Sequence, residues 1–271
     1  MIATGPELSE HELNKFTQLV YELTKVLIEQ NKKTMLSGRL LKRMRVLKIT
    51  SFMEYYELIS KNKNSEELHY FLDNVTTHKT HFFRENHHFD YLKECIKQWS
   101  GPIRGWSAAS STGEEPYSIA MTLSDSLDDN FNAWTLLCTD ISPGVVSTAQ
   151  KAVYDHNLCD DIPAEYFKKY MLLGKNELAS KVRIVPEIRH RMKWRTLNLD
   201  TEIDQIDQKF HFIFLRNVMI YFDLATRQKV VSALEKKLLP GGLLFIGHAE
   251  SLIDIHTSLE RVIPTVYQIS C

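Results

Sequence analysis

From about Pro102 to the C-terminus, short apolar runs alternate with stretches of helical spacing. The run 103–109 ends in a Ser/Thr/Gly turn and leads into a helical stretch at 115–127. The run 133–138 ends in Thr139-Asp140 and leads into 144–153, and 210–215 leads into 224–238. The run 243–247 follows the Pro240-Gly241-Gly242 turn, and 262–269 reads as a single closing strand. Strands that alternate with helices bury both faces of a mostly parallel sheet, so the pattern predicts an α/β domain over 101–271. One piece breaks the alternation. Residues 171–195 hold Gly174, Pro186 and the β-favouring runs 182–185 and 192–194, which predicts a small antiparallel insertion.

The N-terminal part has a different period. Phe16, Val20, Leu23, Val26 and Leu27 recur at spacings of three and four, and Gly and Pro are scarce. Ser51 and Ser65 stand where helix N-caps belong. A helical domain of three or four helices is expected over 1–75, followed by a linker and connecting helix over 76–100.

Composition narrows the function classes. Of 271 residues, 44% are hydrophobic and 25% charged, the proportions of a globular chain. No apolar run approaches the ~20 residues of a membrane span. The N-terminus lacks the basic-then-apolar pattern of a secretory signal. Cys95, Cys138, Cys159 and Cys271 lie far apart without a CxxC pair, which argues against a disulfide framework or zinc knuckle and fits a reducing cytoplasm. Eleven histidines include the close set His78, His81, His87 and His88, but no accompanying Cys or acid spacing supports a metal site. The net charge of −1 excludes a nucleic-acid-binding polycation.

Two turns carry candidate chemistry. The segment 106–118, WSAASSTGEEPYS, joins a strand to a helix, where unpaired N–H groups and small side chains let a ligand approach the backbone. A dinucleotide fingerprint needs three glycines and only Gly113 is present. Glu114 and Glu115 place negative charge where a pyrophosphate would sit, which suits a cationic, hydroxyl-rich ligand such as S-adenosylmethionine. They also complement the helix dipole, and both readings stand. Asp140 ends the second strand, where an acid commonly takes ribose hydroxyls; as an alternative it caps the next helix. Trp106, Trp134 and Trp194 read as core residues, and His248-Ala249-Glu250 as structural or close to the substrate mouth.

The blocks HFFRENHHF (81–89), WSAASSTGEEPYSIAM (106–121), TDIS (139–142), NL (198–199), FLRNVMIYFD (214–223) and LLPGGLLFIGHAESL (238–252) together resemble the CheR-type chemotaxis receptor methyltransferases. The resemblance runs in order from about residue 10 to the end. It implies a helical N-terminal domain joined to a Rossmann-like class I methyltransferase domain with a small antiparallel β insertion. The implied activity is transfer of the methyl group of S-adenosyl-L-methionine to glutamate side chains of membrane chemoreceptors, with S-adenosyl-L-homocysteine as product. Implied cofactor contacts are His78, Thr80, Arg84, Glu115, Asp140, Asn198, Leu199, Leu215 and Arg216. Arg84 and Tyr221 are expected near the reacting methyl group. His78 stands where members often carry Asn, and Leu215 where they often carry Cys. Outside the resemblance, Arg84 reads as a salt-bridge partner of Glu85 or a helix-terminus residue, and Tyr221 as a core aromatic beside Phe222.

A glutamate acceptor is already ionised at neutral pH, with a reference pKa of ~4.3, so the reaction needs alignment rather than a general base. An acidic acceptor also needs a docking surface. Residues 31–48 contain seven Lys or Arg and no acid, and helical spacing places Arg39, Lys42 and Arg43 on one face. A solvated helix face is the plain alternative. The expected partners are the cytoplasmic helices of chemoreceptors, and their C-terminal peptide if the β insertion adds it as an edge strand. A cytoplasmic monomer without nucleic-acid binding, membrane insertion or metal is expected. Two competing functions remain: an inactive receptor adaptor that still binds cofactor, and a class I methyltransferase with another acceptor.

Overall fold

The computed structural model describes residues 6–29, 32–62, 65–76, 79–127 and 133–270. They form two compact units, one of residues 1–77 with 221–223 and one of 78–220 with 224–271.

The first unit contains α1 (Glu10–Thr24), α2 (Lys33–Leu47), α3 (Phe52–Ser60) and α4 (Glu66–Val75). Ser9 and Glu12 form a reciprocal capping box at the start of α1. Lys25 ends that helix in a left-handed conformation, so Val26 and Leu27 lie beyond the helix that their spacing suggested. Ser65 caps α4 by accepting from Leu68 N–H, whereas Ser51 precedes α3 without a side-chain cap. Phe16, Leu40, Met44, Phe52, Tyr55 and Phe71 fill the core of the unit. The Phe16 ring meets Tyr56 edge-on at 5.5 Å and Phe71 at 5.8 Å. The unit also takes in residues 221–223: Leu27 N–H donates to the Tyr221 carbonyl at 2.8 Å, and the Tyr21 hydroxyl donates to Asp223.

The second unit opens with α5 (His87–Ile96) and β1 (Ile103–Ser107), then α6 (Glu114–Ser126), β2 (Trp134–Asp140) and α7 (Pro143–Lys151). There follow β3 (Val153–Asp155), α8 (Ala164–Tyr170), β4 (Met171–Leu173), β5 (Lys181–Ile184), α9 (Pro186–Arg189) and β6 (Met192–Thr196). The chain closes with β7 (Phe210–Leu215), α10 (Leu224–Glu235), β8 (Leu238–Ile246), β9 (Glu260–Ile263) and β10 (Val266–Gln268). The large sheet has seven strands in the order β6-β2-β1-β7-β8-β10-β9. β6, β2, β1, β7 and β8 run parallel, while β10 is antiparallel to both β8 and β9. This is the expected α/β architecture of a class I methyltransferase. The order steps outward from β1 on both sides, so the turns after β1, β2 and β7 gather at one edge, where such sheets bind ligands.

Two expectations change. The small antiparallel sheet has the order β3-β5-β4 and therefore spans 153–184. Met192–Thr196 is not part of it but pairs parallel with β2 as the edge strand of the large sheet. A half-buried edge strand has the same alternation as a strand in an insertion, so periodicity does not separate them. The closing run is two strands rather than one, because Thr265 adopts a left-handed φ of 63° and turns the chain back on itself.

Aromatic packing fills the sheet. Phe214 stacks on Phe245 at 4.3 Å, Trp106 lies 5.2 Å from Phe210, and Trp134 is buried. Trp194 packs partly buried against the same core. Among the described residues, no helix is long and apolar enough to cross a membrane.

Candidate active site

The turn after β1 is built to bring backbone close to a ligand. Gly113 has φ 104°, a conformation that only glycine adopts without strain, and a Cβ there would sit 2.6 Å from the Tyr154 hydroxyl. Gly113 thus opens α6, whose first turn carries Glu114 and Glu115. Glu114 is tied up locally, accepting from the Thr112 hydroxyl at 2.7 Å. Glu115 accepts from Ser107 Oγ at 2.8 Å and faces the Arg216 guanidinium at 3.3 Å. Burial pushes the Glu115 carboxyl above its ordinary range, and Arg216 and Ser107 pull it back only in part.

Asp140 closes β2 and is nearly buried. Its Oδ2 accepts from Ser111 N–H at 2.8 Å and its Oδ1 from Ser142 N–H at 3.1 Å. Asp140 does not cap α7. Ser142 does, accepting from Val145 N–H at 3.1 Å. The adjoining turn is held to Asp140 by Leu197 N–H, which donates to the Asp140 carbonyl at 2.9 Å. Asn198 N–H donates to Glu202 and Asn198 Oδ1 accepts from Asp200 N–H, so the turn that carries Asn198 and Leu199 is internally braced.

Arg84 lies in a distorted segment. Its neighbours Phe83 (φ 52°) and Glu85 (φ 56°) both adopt left-handed conformations, each costing roughly 1–2 kcal/mol for an L-residue. The Arg84 side chain is 34% exposed, with Nη1 donating to the Lys79 carbonyl at 3.2 Å. Its separation from Glu85 is 3.9 Å, so the expected Arg84–Glu85 salt bridge is a marginal contact. Glu85 instead meets Arg216, at 3.0 Å. Arg216 is the buried hub of the site. It pairs with Glu85 and Glu115, and its Nη2 donates to the Arg84 carbonyl at 2.6 Å. Burial alone would raise the Glu85 carboxyl; Arg216, His248 N–H and Asn217 more than offset it, so its pKa falls below the ordinary range.

Glu250 supports the same region. Its carboxylate accepts from the N–H groups of Gly247 (2.6 Å), Asn217 (2.9 Å), Val218 (3.0 Å) and Met219 (2.7 Å). It fastens the turn after β7 to the end of β8. Burial raises its carboxyl despite these bonds.

The expected site residues of this unit therefore distribute as follows. Glu115, Arg216 and Arg84 form one linked chain of contacts, while Asp140 at the end of β2 and Asn198 and Leu199 in the turn after β6 form a second group. Leu215 ends β7 fully buried, so only its main chain is placed for a ligand. Thr80 is half-buried just before the Arg84 segment. His78 lies outside the described residues, as do Asn31 and Cys271. Tyr221 is counted with the helical unit, where the Lys32 ammonium lies 5.2 Å from its ring centre. Sequence reasoning missed Glu85 and Ser111 as site-building residues, whereas it had Glu250 as structural or close to the substrate mouth. A signal existed for Glu250, which follows the β8 turn in the block GHAE.

In the helical unit, Arg39 and Arg43 are not simply displayed to solvent. Arg43 pairs with Glu67 at 2.5 Å and stacks on Tyr70, while Arg39 donates to the Asn74 carbonyl at 2.6 Å. Lys42 is exposed.

Comparison with known proteins decides the family. Residues 78–268 match the CheR methyltransferase SAM-binding domain and residues 11–76 the CheR methyltransferase all-alpha domain. The chain belongs to the CheR methyltransferase family. It is 36% identical over 263 residues to the chemotaxis protein methyltransferase of Escherichia coli (strain K12), covering 97% of this chain and 92% of that one. It is 35% identical over 262 residues to chemotaxis protein methyltransferase 2 of Pseudomonas aeruginosa, covering 96% and 93%. The chemotaxis protein methyltransferase of Borreliella burgdorferi is 32% identical over 273 residues, covering 96% and 95%. The chain is accordingly a methyltransferase of chemotaxis that uses S-adenosylmethionine. The site fits that cofactor. Acids rather than a phosphate cradle occupy the first turn of α6, and a carboxylate ends β2. The Ser110 hydroxyl is buried in the turn after β1 without a hydrogen-bond partner, in keeping with a polar ligand there.

Proposed function

We propose that this enzyme methylates glutamate side chains on the cytoplasmic helices of chemoreceptors. The observation that carries the reading is the contact chain Arg84–Arg216–Glu115. It ties the main chain of Arg84, whose guanidinium is partly exposed, to the same scaffold as an acid of the turn after β1.

S-adenosylmethionine supplies a methyl group on a cationic sulfur, which a carboxylate displaces directly. Asp140 would hold its ribose, Asn198 and Leu199 its adenine, and Glu115 its cationic amino-acid end. The acceptor glutamate arrives ionised, so no residue has to remove a proton. Arg84 orients it through paired, charge-assisted hydrogen bonds, which fix the attacking oxygen. The Tyr221 phenol steadies the reacting groups. A guanidinium bonded too strongly to the carboxylate would blunt its nucleophilicity, so a rim position with partial hydration suits Arg84.

Substrate capture in this reading combines two surfaces. The basic face of α2, with Lys42 exposed upon it, attracts the glutamate-rich receptor helix. The small sheet β3-β5-β4 offers an outer strand to a receptor C-terminal peptide, and the exposed Leu172 and Leu173 on β4 support that mode. The enzyme then acts as a cytoplasmic monomer.

The test pairs calorimetric binding of S-adenosylhomocysteine with methyl transfer to receptor cytoplasmic fragments, scored as base-labile methyl ester. Asp140→Ala is expected to lose cofactor binding, and Arg84→Ala to keep it while losing most turnover. Methyl transfer at the wild-type rate by Arg84→Ala would remove Arg84 from the mechanism. Cofactor binding without ester formation on any receptor fragment would favour a non-catalytic adaptor.

A further inference from the structure

The residue beside Arg84 has no part in the chemistry described so far, yet the site is built around it. Glu85 is only 10% exposed in its side chain and sits at φ 56°, in the left-handed region that an L-residue enters at a cost. It lies 3.0 Å from Arg216, and its Oε1 accepts from His248 N–H at 3.3 Å and from Asn217 Nδ2 at 3.4 Å. Those partners come from the turns after β7 and β8. Arg216 in turn donates to the Arg84 carbonyl at 2.6 Å. Arg216 also faces Glu115 through its other terminal nitrogen, so two carboxylates share one guanidinium. With Glu85 present, the guanidinium is held between them and aimed at the Arg84 main chain. Without that charge it is drawn toward Glu115 alone.

We propose that Glu85 is a positioning residue for methyl transfer, setting the Arg84 main chain through Arg216 and the His248 turn. It touches neither cofactor nor acceptor. This inference rests on the reading that Arg84 orients the acceptor carboxylate. Its expected signature is a loss in kcat with cofactor affinity retained, because Glu115 keeps its bond from Ser107, and Asp140 and the turn after β6 that carries Asn198 and Leu199 are braced by bonds that do not involve Glu85.

The experiment compares Glu85→Gln, Glu85→Asp, Arg84→Ala and the double variant Arg84→Ala/Glu85→Gln. It measures kcat and KM with receptor cytoplasmic fragments, S-adenosylhomocysteine binding by calorimetry, and Tm. Glu85→Gln should lower kcat about tenfold to a hundredfold, the range for one charged hydrogen-bond partner. S-adenosylhomocysteine affinity should stay within about twofold. Glu85→Asp, which keeps the charge on a shorter arm, should recover part of the loss. In the Arg84→Ala background, Glu85→Gln should lower kcat by less than about threefold more, since the group it positions is gone. Wild-type kcat in Glu85→Gln, a full multiplicative loss in the double variant, or cofactor affinity falling in step with kcat would each overturn the proposal. If Glu85→Gln fails to fold, Glu85→Asp decides on the same split: lower kcat with intact binding supports it, and wild-type kcat or weakened binding overturns it. Arg84→Ala read alone separates the two levels. Wild-type turnover there defeats the Arg84 mechanism itself, whereas a loss there with independent effects of Glu85 defeats only the positioning role.

Discussion

Ser111 N–H donates to Asp140 Oδ2 at 2.8 Å, so the turn after β1 is fastened to the acid that ends β2. Asp140 thus shapes the turn after β1, and in the proposed mechanism it also offers its carboxylate to the ribose. Asp140→Ala removes both functions and should weaken S-adenosylhomocysteine binding by about tenfold or more. Asp140→Asn keeps an acceptor for Ser111 and should fall between the two. Titration calorimetry checks this, and unchanged affinity in Asp140→Ala would dismiss Asp140 as a cofactor ligand.

Glu250 gathers four backbone N–H groups from two turns, and no neutral side chain of its size accepts all of them. Glu250→Gln should destabilise the protein by about 1–3 kcal/mol, because its amide NH2 would face donors. Gly247→Ala should show a similar loss of about 1–3 kcal/mol by overpacking. A Cβ there would lie 2.4 Å from Asn217 Nδ2 and 2.9 Å from Glu250 Oε2. Denaturant midpoints measure both, and a wild-type midpoint for Glu250→Gln would show that the four N–H groups find other acceptors.

These carboxylates mark the limit of what the sequence discloses. Gly113, Glu115 and Asp140 were legible because a strand-to-helix turn with small and acidic residues is a local pattern. The role of Glu85 was not, and Glu250 was legible only as structural or close to the substrate mouth, without its partners. Their partners Arg216 and Asn217 lie far along the chain, and only strand order brings the turns together. The α/β alternation was legible for the same local reason as Gly113. Met192–Thr196 was misplaced because pairing with β2 leaves no mark on its own alternation. The final hairpin hid inside an apolar run, broken only by the left-handed Thr265. The basic face of α2 was legible as charge, but Glu67, which takes up Arg43, comes from a different helix.

His88 should make stability depend on pH. It is fully buried, its Nε2 lies 2.8 Å from the Thr265 hydroxyl, and its Nδ1 is 3.7 Å from Glu85. Burial, together with Arg216, His87 and His248, lowers its pKa from 6.5 to about 2. The unfolded chain therefore takes up this proton first as pH falls. The contribution is intact above the unfolded value of 6.5 and is lost progressively below it. Between pH 7 and 5 the loss should reach about 1–2 kcal/mol. His88→Gln lacks that component, so its stability should fall less over the same interval. Parallel slopes for the two proteins in denaturant titrations would contradict the buried neutral imidazole.

The docking face of α2 divides into two kinds of cation. Arg43 is committed to Glu67, which also accepts from the Tyr55 hydroxyl at 2.8 Å, and Arg39 is committed to the Asn74 carbonyl. Reversing Arg43 to Glu sets two carboxylates side by side in a half-buried pocket. That should destabilise the helical unit by about 3 kcal/mol or more, the scale of breaking a shielded ion pair. The Glu67 partnership makes that reversal a test of the fold as well as of docking. Lys42 is exposed, so Lys42→Glu should leave Tm within about 1 °C, as for most surface changes. If α2 receives the acidic receptor helix, Lys42→Glu should still raise the apparent KM about two- to tenfold at low salt, and the gap should narrow as salt screens the charge. Equal KM values for wild type and Lys42→Glu at every salt concentration would show that the charge on this face plays no part in capture.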